Sequence, residues 1–119
     1  MGPYLIASRK RTLKSHRYIT FWRPNRCGYA WSLPWAGRYD AAEAQSLNDD
    51  PAGLYRDEHS YAVPMAALEP LMVAPRAGDI DGDVGPVLRN TKAHWAVIEA
   101  HAAALRNAEP IHRRDGDEG

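Results

Sequence analysis

Apolar residues are concentrated in short stretches that charged and turn-forming residues separate. Three of these stretches, residues 4–8 (YLIAS), 18–22 (YITFW) and 29–33 (YAWSL), contain aromatic or β-branched side chains, which favour β-strands. Between the last two lies Pro24-Asn-Arg-Cys27, followed by Gly28, a composition typical of a turn. We therefore predict a strand over residues 4–8 and a β-hairpin over about 17–33.

The register of the hairpin follows from the length of its turn. A loop at residues 24–27 places Trp22 opposite Tyr29, Thr20 opposite Trp31 and Tyr18 opposite Leu33. Successive side chains then alternate between the two faces. One face would carry Tyr18, Thr20, Trp22, Tyr29, Trp31 and Leu33. Because the other face, with Ile19 and Phe21, is also largely apolar, we expect both faces to be covered and the hairpin to lie centrally in a sheet.

Apolar positions three and four residues apart predict the longest helix, over about residues 92–107, with Thr91 as its N-cap. Its apolar stripe is formed by Trp95, Ile98, Ala102 and Leu105. Asp40 and Glu43 match a capping box, which predicts a short helix over about 41–47. Shorter elements are predicted at residues 60–63 (strand), 65–69 (helical turn) and 71–73 (strand).

The order of these elements predicts the α+β class. We expect a small antiparallel β-sheet of about three to five strands, with the central hairpin at about 17–33 and the C-terminal helix at about 92–107 packed on it. A chain of 119 residues can form one modest core, so residues 1–107 are predicted to be a single globular domain. Residues 108–119 contain little apolar surface and are predicted to be a polar flexible tail.

The aromatic residues are unevenly distributed. Seven of the eleven Phe, Trp and Tyr residues lie between residues 17 and 39, with four arginines among them. Such a stretch can form a base-stacking surface, or it can fill a core, because each ring buries roughly 150–250 Å². We expect mainly a core: the C-terminal helix packs on the face carrying Trp22 and Trp31, and the arginines stay outside.

Charge is also uneven, although 15 Lys and Arg residues balance 15 Asp and Glu residues. Residues 1–40 contain eight Lys and Arg and one Asp, a net charge of 8 − 1 = +7, which the rest of the chain offsets. This asymmetry favours a negatively charged partner, such as a host protein, a nucleoprotein complex or nucleic acid itself. It is equally compatible with two halves that neutralise each other within the fold. The candidate partner-binding residues are Arg9, Lys10, Arg11, Lys14, Arg23 and Arg26.

An acidic, glycine-rich segment supplies the alternative partner-binding residues, Asp79, Asp81 and Asp83. Clustered carboxylates there could mimic phosphates toward a basic partner. The three have the 1-3-5 spacing of an EF-hand loop, but Val84 stands where that loop requires Gly, and Asn90 where it requires Glu. We therefore predict no metal site in this segment.

No set of residues in the sequence marks a catalytic site. Cys27 is the single cysteine, which excludes an intramolecular disulfide and a cysteine-based zinc site. His94 and His101 are seven residues apart on the predicted helix, too far for one metal ion. We expect no enzymatic activity and no cofactor. The lack of a signal-peptide pattern and of an apolar run of about 20 residues predicts a cytoplasmic protein with no membrane partner.

Several short patterns resemble small proteins of phages and prophages. They are Trp22-Arg-Pro24, Gly28-Tyr29 and Trp35-Ala-Gly-Arg-Tyr39, together with the strand at 4–8 and Asn90-Thr91. The resemblance covers about residues 4–40 and 86–92 and carries no site to particular positions. It implies an accessory protein of the anti-CRISPR or anti-defence type, a non-enzymatic inhibitor that binds a bacterial defence complex in the host cytoplasm and acts by steric exclusion. The alternative is a nucleic-acid-binding module that uses the basic N-terminal region.

Overall fold

The computed structural model describes residues 2–48, 59–80 and 85–109. Four strands within these residues form one antiparallel sheet in the order β3-β2-β1-β4. The strands are β1 (Tyr4–Ser8), β2 (Phe21–Trp22), β3 (Tyr29–Ala30) and β4 (Ser60–Pro64). The helices within these residues are α1 (Ala41–Leu47), α2 (Met65–Leu68) and α3 (Lys92–Arg106). The predicted α+β class, an antiparallel sheet with a C-terminal helix on it, is confirmed. Residues 110–119 of the predicted tail lie outside the described residues.

Side-chain caps determine where the two longer helices begin. The Asp40 carboxylate accepts the Glu43 backbone N–H at 2.8 Å at the start of α1. The Thr91 hydroxyl accepts the His94 N–H at 3.1 Å at the start of α3. Each cap satisfies a backbone donor that has no partner within the helix, so both predicted N-caps are confirmed.

The hairpin forms as predicted only next to its turn. Trp22 pairs with Tyr29, as the length of the turn requires, and Phe21 pairs with Ala30. However, β3 lies at one edge of the sheet, and β1 lies between β2 and β4. The predicted central position of the hairpin is therefore wrong, because β1 makes the longest ladder of the sheet by pairing along its whole length with β4.

Residues 86–89 separate the two arms of the hairpin beyond this short ladder. Tyr18 pairs with Arg89 on one side, and the Leu33 N–H donates to the Pro86 carbonyl at 2.8 Å on the other. The predicted pairing of Tyr18 with Leu33 is wrong for this reason: an intervening segment takes up the backbone groups of both arms.

The predicted strand at residues 71–73 is also wrong. A 3₁₀ turn, Glu69–Leu71, occupies part of it, and a single bridge joins Val73 to Val87. Pro70 favours the turn, because its ring fixes φ at a helical value. Its missing N–H has no cost there, since the first N–H groups of a helix have no partner within the helix. The shorter predictions at 60–63 and 65–69 correspond to β4 and α2.

Side chains alternate across the sheet and form one apolar cluster on each face. The first cluster comprises Leu5, Ala7, Ile19, Phe21, Leu33, Ala36, Val63, Leu68, Leu88, Trp95 and Ile98. The second comprises Ile6, Trp22, Tyr39, Ala44, Leu47, Ala62 and Leu105. Helix α1 covers the second face, and α3, which packs mainly on β4, contributes to both.

The prediction that α3 packs on the face of Trp22 and Trp31 is only partly correct. Trp95 and Ile98 of α3 belong to the cluster on the opposite face, and only Leu105 reaches the cluster of Trp22. Trp31 is half-buried and belongs to neither cluster. The large core rings therefore include those of Trp22 and Trp95, and not that of Trp31.

Candidate nucleic-acid interface

The basic loop, residues 9–14, carries four of the six predicted partner-binding residues in a fixed conformation. Thr12 is buried at its centre, where its hydroxyl donates to the Ser8 carbonyl at 2.6 Å and accepts the Thr20 N–H at 2.9 Å. The Arg9 N–H donates to the His59 carbonyl at 3.0 Å. Since the backbone is held inward at these points, the side chains around Thr12 are exposed; they are Lys10, Arg11, Leu13 and Lys14.

The basic loop faces α3 across a cleft of about 860 Å³, here called the first cleft. Its walls carry the cations Arg9, Lys10, Lys14 and Lys92, the carboxylate Glu99 and the ring of Trp95. Asn90 joins its two sides: its amide donates to the Leu13 and His16 carbonyls at 3.1 and 2.9 Å, and its oxygen accepts the Trp95 indole N–H at 2.7 Å. These bonds fix the spacing of loop and helix before a partner binds, which lowers the ordering cost of binding.

Arg9 makes two contacts inside the first cleft. Its guanidinium lies 4.0 Å from the centroid of the Trp95 ring and forms an ion pair with Glu99. The Glu99 side chain is 48% exposed, and an ion pair in that setting contributes only about 0–1 kcal/mol. Lys14 and Lys92 have no ion-pair partner within the described residues. The first cleft therefore presents more positive charge than ion pairs within residues 2–48, 59–80 and 85–109 neutralise.

Arg11 points away from the first cleft, toward the outer strand of the sheet. Its guanidinium lies 4.8 Å from the centroid of the Tyr29 ring, which in turn packs against Trp22 at 4.8 Å. Arg11 lines a shallow cleft of about 340 Å³ together with Tyr29 and Trp31. It therefore belongs to the face of the hairpin and not to the first cleft.

Arg23 and Arg26 lie at the other end of the sheet. Because β2 is antiparallel to β1, the hairpin turn lies beside the start of β1, whereas the basic loop follows the end of β1. The Arg23 guanidinium lies 5.9 Å from the ring centroid of Trp35, which is 48% exposed. The six predicted residues therefore do not form one surface: three share the first cleft, while Arg11 and the two turn arginines lie elsewhere.

The alternative acidic surface is represented among the described residues by Asp79 alone. Its carboxylate accepts the Tyr18 hydroxyl at 2.7 Å and pairs with the Arg17 Nε at 2.9 Å. The Tyr18 oxygen also accepts the Arg76 backbone N–H at 2.8 Å. Asp79 is thus bound within the fold, and the two other predicted members, Asp81 and Asp83, lie outside the described residues.

A second cleft, of about 560 Å³, contains cations that sequence analysis did not select. They are Arg17, Arg76 and Arg89. No local pattern identifies them, because they come from three separate segments that the contacts of Tyr18 bring together. Lys92 was not among the predicted partner-binding residues either. Its position at the start of the predicted helix indicates an exposed side chain beside the helix N-terminus, so the sequence could have identified it.

Metal and membrane sites find no support among the residues that the structure describes. In residues 2–48, 59–80 and 85–109, no three His, Cys, Asp or Glu side chains come together as metal ligands. No helix in the same ranges is long and apolar enough to cross a bilayer. Cys27 is exposed at the hairpin turn.

The chain has no detected relative from which a site could be transferred. No protein-family model matches it, and neither a curated protein nor a solved structure does so. The geometry of the two clefts and of the hairpin turn is therefore the basis for a functional proposal.

Proposed function

We propose that the protein is a non-enzymatic nucleic-acid-binding protein whose first cleft contacts the phosphate backbone. One observation carries the proposal: three cations of the basic loop, Arg9, Lys10 and Lys14, converge with Lys92 of α3 around a single cleft. Glu99 is the carboxylate among the described residues that line this cleft. Phosphates that bind such a group of cations release condensed counterions, which supplies most of the affinity for nucleic acid of any sequence. A cleft of this kind contacts backbone and does not read base edges.

The contacts within the first cleft favour phosphate binding over base stacking. Trp95 is only 6% exposed, and Arg9 lies over its ring, so this ring offers no free face to a base. By contrast, Arg9 is paired with the exposed carboxylate of Glu99. A backbone phosphate can replace this carboxylate, because its two non-bridging oxygens can bind a guanidinium in the same bidentate way.

Substitution of Lys14 and Lys92, which have no ion-pair partner in the described part of the chain, tests the proposal. Lys14→Ala/Lys92→Ala should reduce the slope of log K against log salt by about 1.4, since each phosphate contact on a single strand contributes about 0.7. The measurement is fluorescence anisotropy of a labelled oligonucleotide of about 15 residues at several salt concentrations. We expect the loss of affinity to be uniform across sequences.

The matched control is Arg38→Ala/Arg106→Ala, which removes the same charge from exposed positions that line neither cleft. It should keep the wild-type slope. Equal losses in both double variants would mean that net charge, and not the first cleft, governs binding. If the wild-type protein retains neither DNA nor RNA at low salt, the proposed function is wrong.

Inhibition of a bacterial defence complex is the second candidate function, and the hairpin turn favours it. Trp35 is about half exposed, and the Arg23 guanidinium lies 5.9 Å from the centroid of its ring. Tryptophan and arginine dominate the energetically important residues of protein interfaces. An accessory protein of the phage type would apply this surface to a CRISPR-Cas-like complex in the host cytoplasm and exclude the ligand of that complex sterically.

A phage-plating assay tests this second candidate. A phage that is targeted by an active CRISPR-Cas system should form plaques on bacteria that express the protein, because the protein protects the phage. Trp35→Ala should abolish this protection of the phage. Leu71→Ala, which truncates another exposed apolar side chain, is the control and should protect like the wild type. Unchanged plaque numbers with the wild-type protein would rule out inhibition of that system.

A further inference from the structure

The second cleft holds positive charge that ion pairs among the described residues do not fully neutralise. Arg17, Arg76 and Arg89 are all exposed and line the same concave surface. Arg17 is paired with Asp79, but within the described residues neither the Arg76 nor the Arg89 guanidinium has an ion-pair partner. Binding of an external anion by these two arginines therefore breaks no ion pair among the described residues.

The two clefts are neighbours that share a wall. Asn90 and Thr91 line both of them, and the Asn90 side chain ties this wall to the Leu13 and His16 carbonyls. The N-terminal end of the α3 dipole adds partial positive charge at the same place. A path that crosses this wall passes the cations of both clefts: Arg9, Lys10, Lys14, Lys92, Arg17, Arg89 and Arg76.

We propose that one single-stranded nucleic acid occupies both clefts at once, crossing between them over Asn90 and Thr91. This inference rests on the proposed function and specifies its ligand. Cations that recur along a path match a ligand whose charges recur along its length, and a flexible strand can follow two concave surfaces on either side of a wall. A duplex is stiff over about 150 base pairs and presents a rigid surface instead.

Two rings beside the path favour a single strand further. His16 lines the second cleft, and its ring contacts that of Trp31 edge to face at 5.6 Å. Both are only half-buried, so they retain ring surface for an unpaired base. Cationic grooves flanked by aromatic rings are characteristic of proteins that bind single strands without sequence preference.

Arg76→Ala/Arg89→Ala tests the path. With a labelled oligothymidylate of about 15 residues, this variant should lower the salt slope by about 1.4, and its combination with Lys14→Ala/Lys92→Ala should lower it by about 2.8. Wild-type protein should saturate at one oligonucleotide per chain. Asp79→Asn, which keeps an acceptor for the Tyr18 hydroxyl and removes the charge opposite Arg17, should bind several-fold more tightly.

The outcomes separate this inference from the proposed function. If Lys14→Ala/Lys92→Ala lowers the slope but Arg76→Ala/Arg89→Ala behaves like Arg38→Ala/Arg106→Ala, the first cleft binds alone and the path does not exist. Saturation at two oligonucleotides per chain, or tighter binding of a duplex of the same length, also overturns the path. Absence of all binding by the wild type instead removes the proposed function. Thermal unfolding of each variant establishes that it is folded. If Arg76→Ala/Arg89→Ala does not fold, the affinity of Asp79→Asn tests the path independently.

Discussion

Tyr39 ties the segment that follows the hairpin to the hairpin turn. Its hydroxyl donates to the Arg23 carbonyl and accepts the Arg26 N–H at 3.1 Å, and the residue is only 3% exposed. Gly37 permits this close approach, because a Cβ there would lie 2.8 Å from backbone atoms of Arg23 and Pro24. The Trp35–Tyr39 pattern therefore has a packing role that does not depend on any partner.

The Tyr39 phenol should make stability depend on pH in the alkaline range. Burial raises its pKa above the ordinary value of 10.0, and the hydrogen bond from the Arg26 backbone opposes this only in part. The unfolded chain thus loses the phenolic proton first, so this contribution to stability is complete below about pH 10 and is lost as pH rises above it. In urea unfolding, Tyr39→Phe should lose less stability than the wild type between about pH 9 and about pH 11.

The control for this prediction is Tyr29→Phe, which removes the hydroxyl of a half-buried ring that packs against the same apolar cluster as Tyr39. Its free energy of unfolding should follow the wild-type curve across the same pH range. At about pH 8 the Phe variant of Tyr39 should be less stable by about 1 kcal/mol, since its two backbone partners lose a hydrogen bond. Parallel pH profiles of the wild type and Tyr39→Phe would show that burial of this phenol does not control alkaline stability.

Elements whose signals are local could be predicted from the sequence, and those that depend on distant segments could not. The starts of α1 and α3 follow from Asp40 and Thr91, which act within their own first turns. The arms of the hairpin follow from periodicity only as far as Trp22 and Tyr29. Beyond them residues 86–89 intervene, and nothing within the hairpin sequence indicates that insertion.

The role of Asn48 could not be predicted from the sequence for the same reason. The sequence around Asn48 indicates only the end of a helix, whereas in the structure this residue joins three elements. Its oxygen accepts the Ala62 N–H of β4 at 3.0 Å, and its amide donates to the Ala102 carbonyl of α3 at 2.8 Å. Asn48 is buried, so Asn48→Ala leaves buried backbone groups unpaired and should lower the free energy of unfolding by about 1–3 kcal/mol. Denaturant unfolding measures this loss.

Asn107→Ala is the matched control for Asn48, because Asn107 also follows a helix but is exposed. It should change the free energy of unfolding by less than about 0.5 kcal/mol. Equal stabilities of the two variants would mean that α1, β4 and α3 are held together without the Asn48 bridge.

At the scale of the whole molecule, the basic N-terminal part of the chain contacts the acidic remainder through ion pairs. Among the described residues these include Arg9–Glu99 and Arg17–Asp79. The exposed cations of the basic loop could be predicted, because charged residues between strands cannot enter a core. Their grouping with Lys92, and the second group around Arg76 and Arg89, could not, because tertiary contacts assemble both clefts.

Contact with phosphates has a direct signature in the salt dependence of affinity. The decisive measurement is the anisotropy of a labelled single strand with wild-type protein between about 50 and about 200 mM salt. Four cations in the first cleft predict a slope of about −2.8, and seven cations along both clefts predict about −4.9, at about 0.7 per contact. A slope near zero, or no binding at the lowest salt concentration, would contradict phosphate recognition by these clefts.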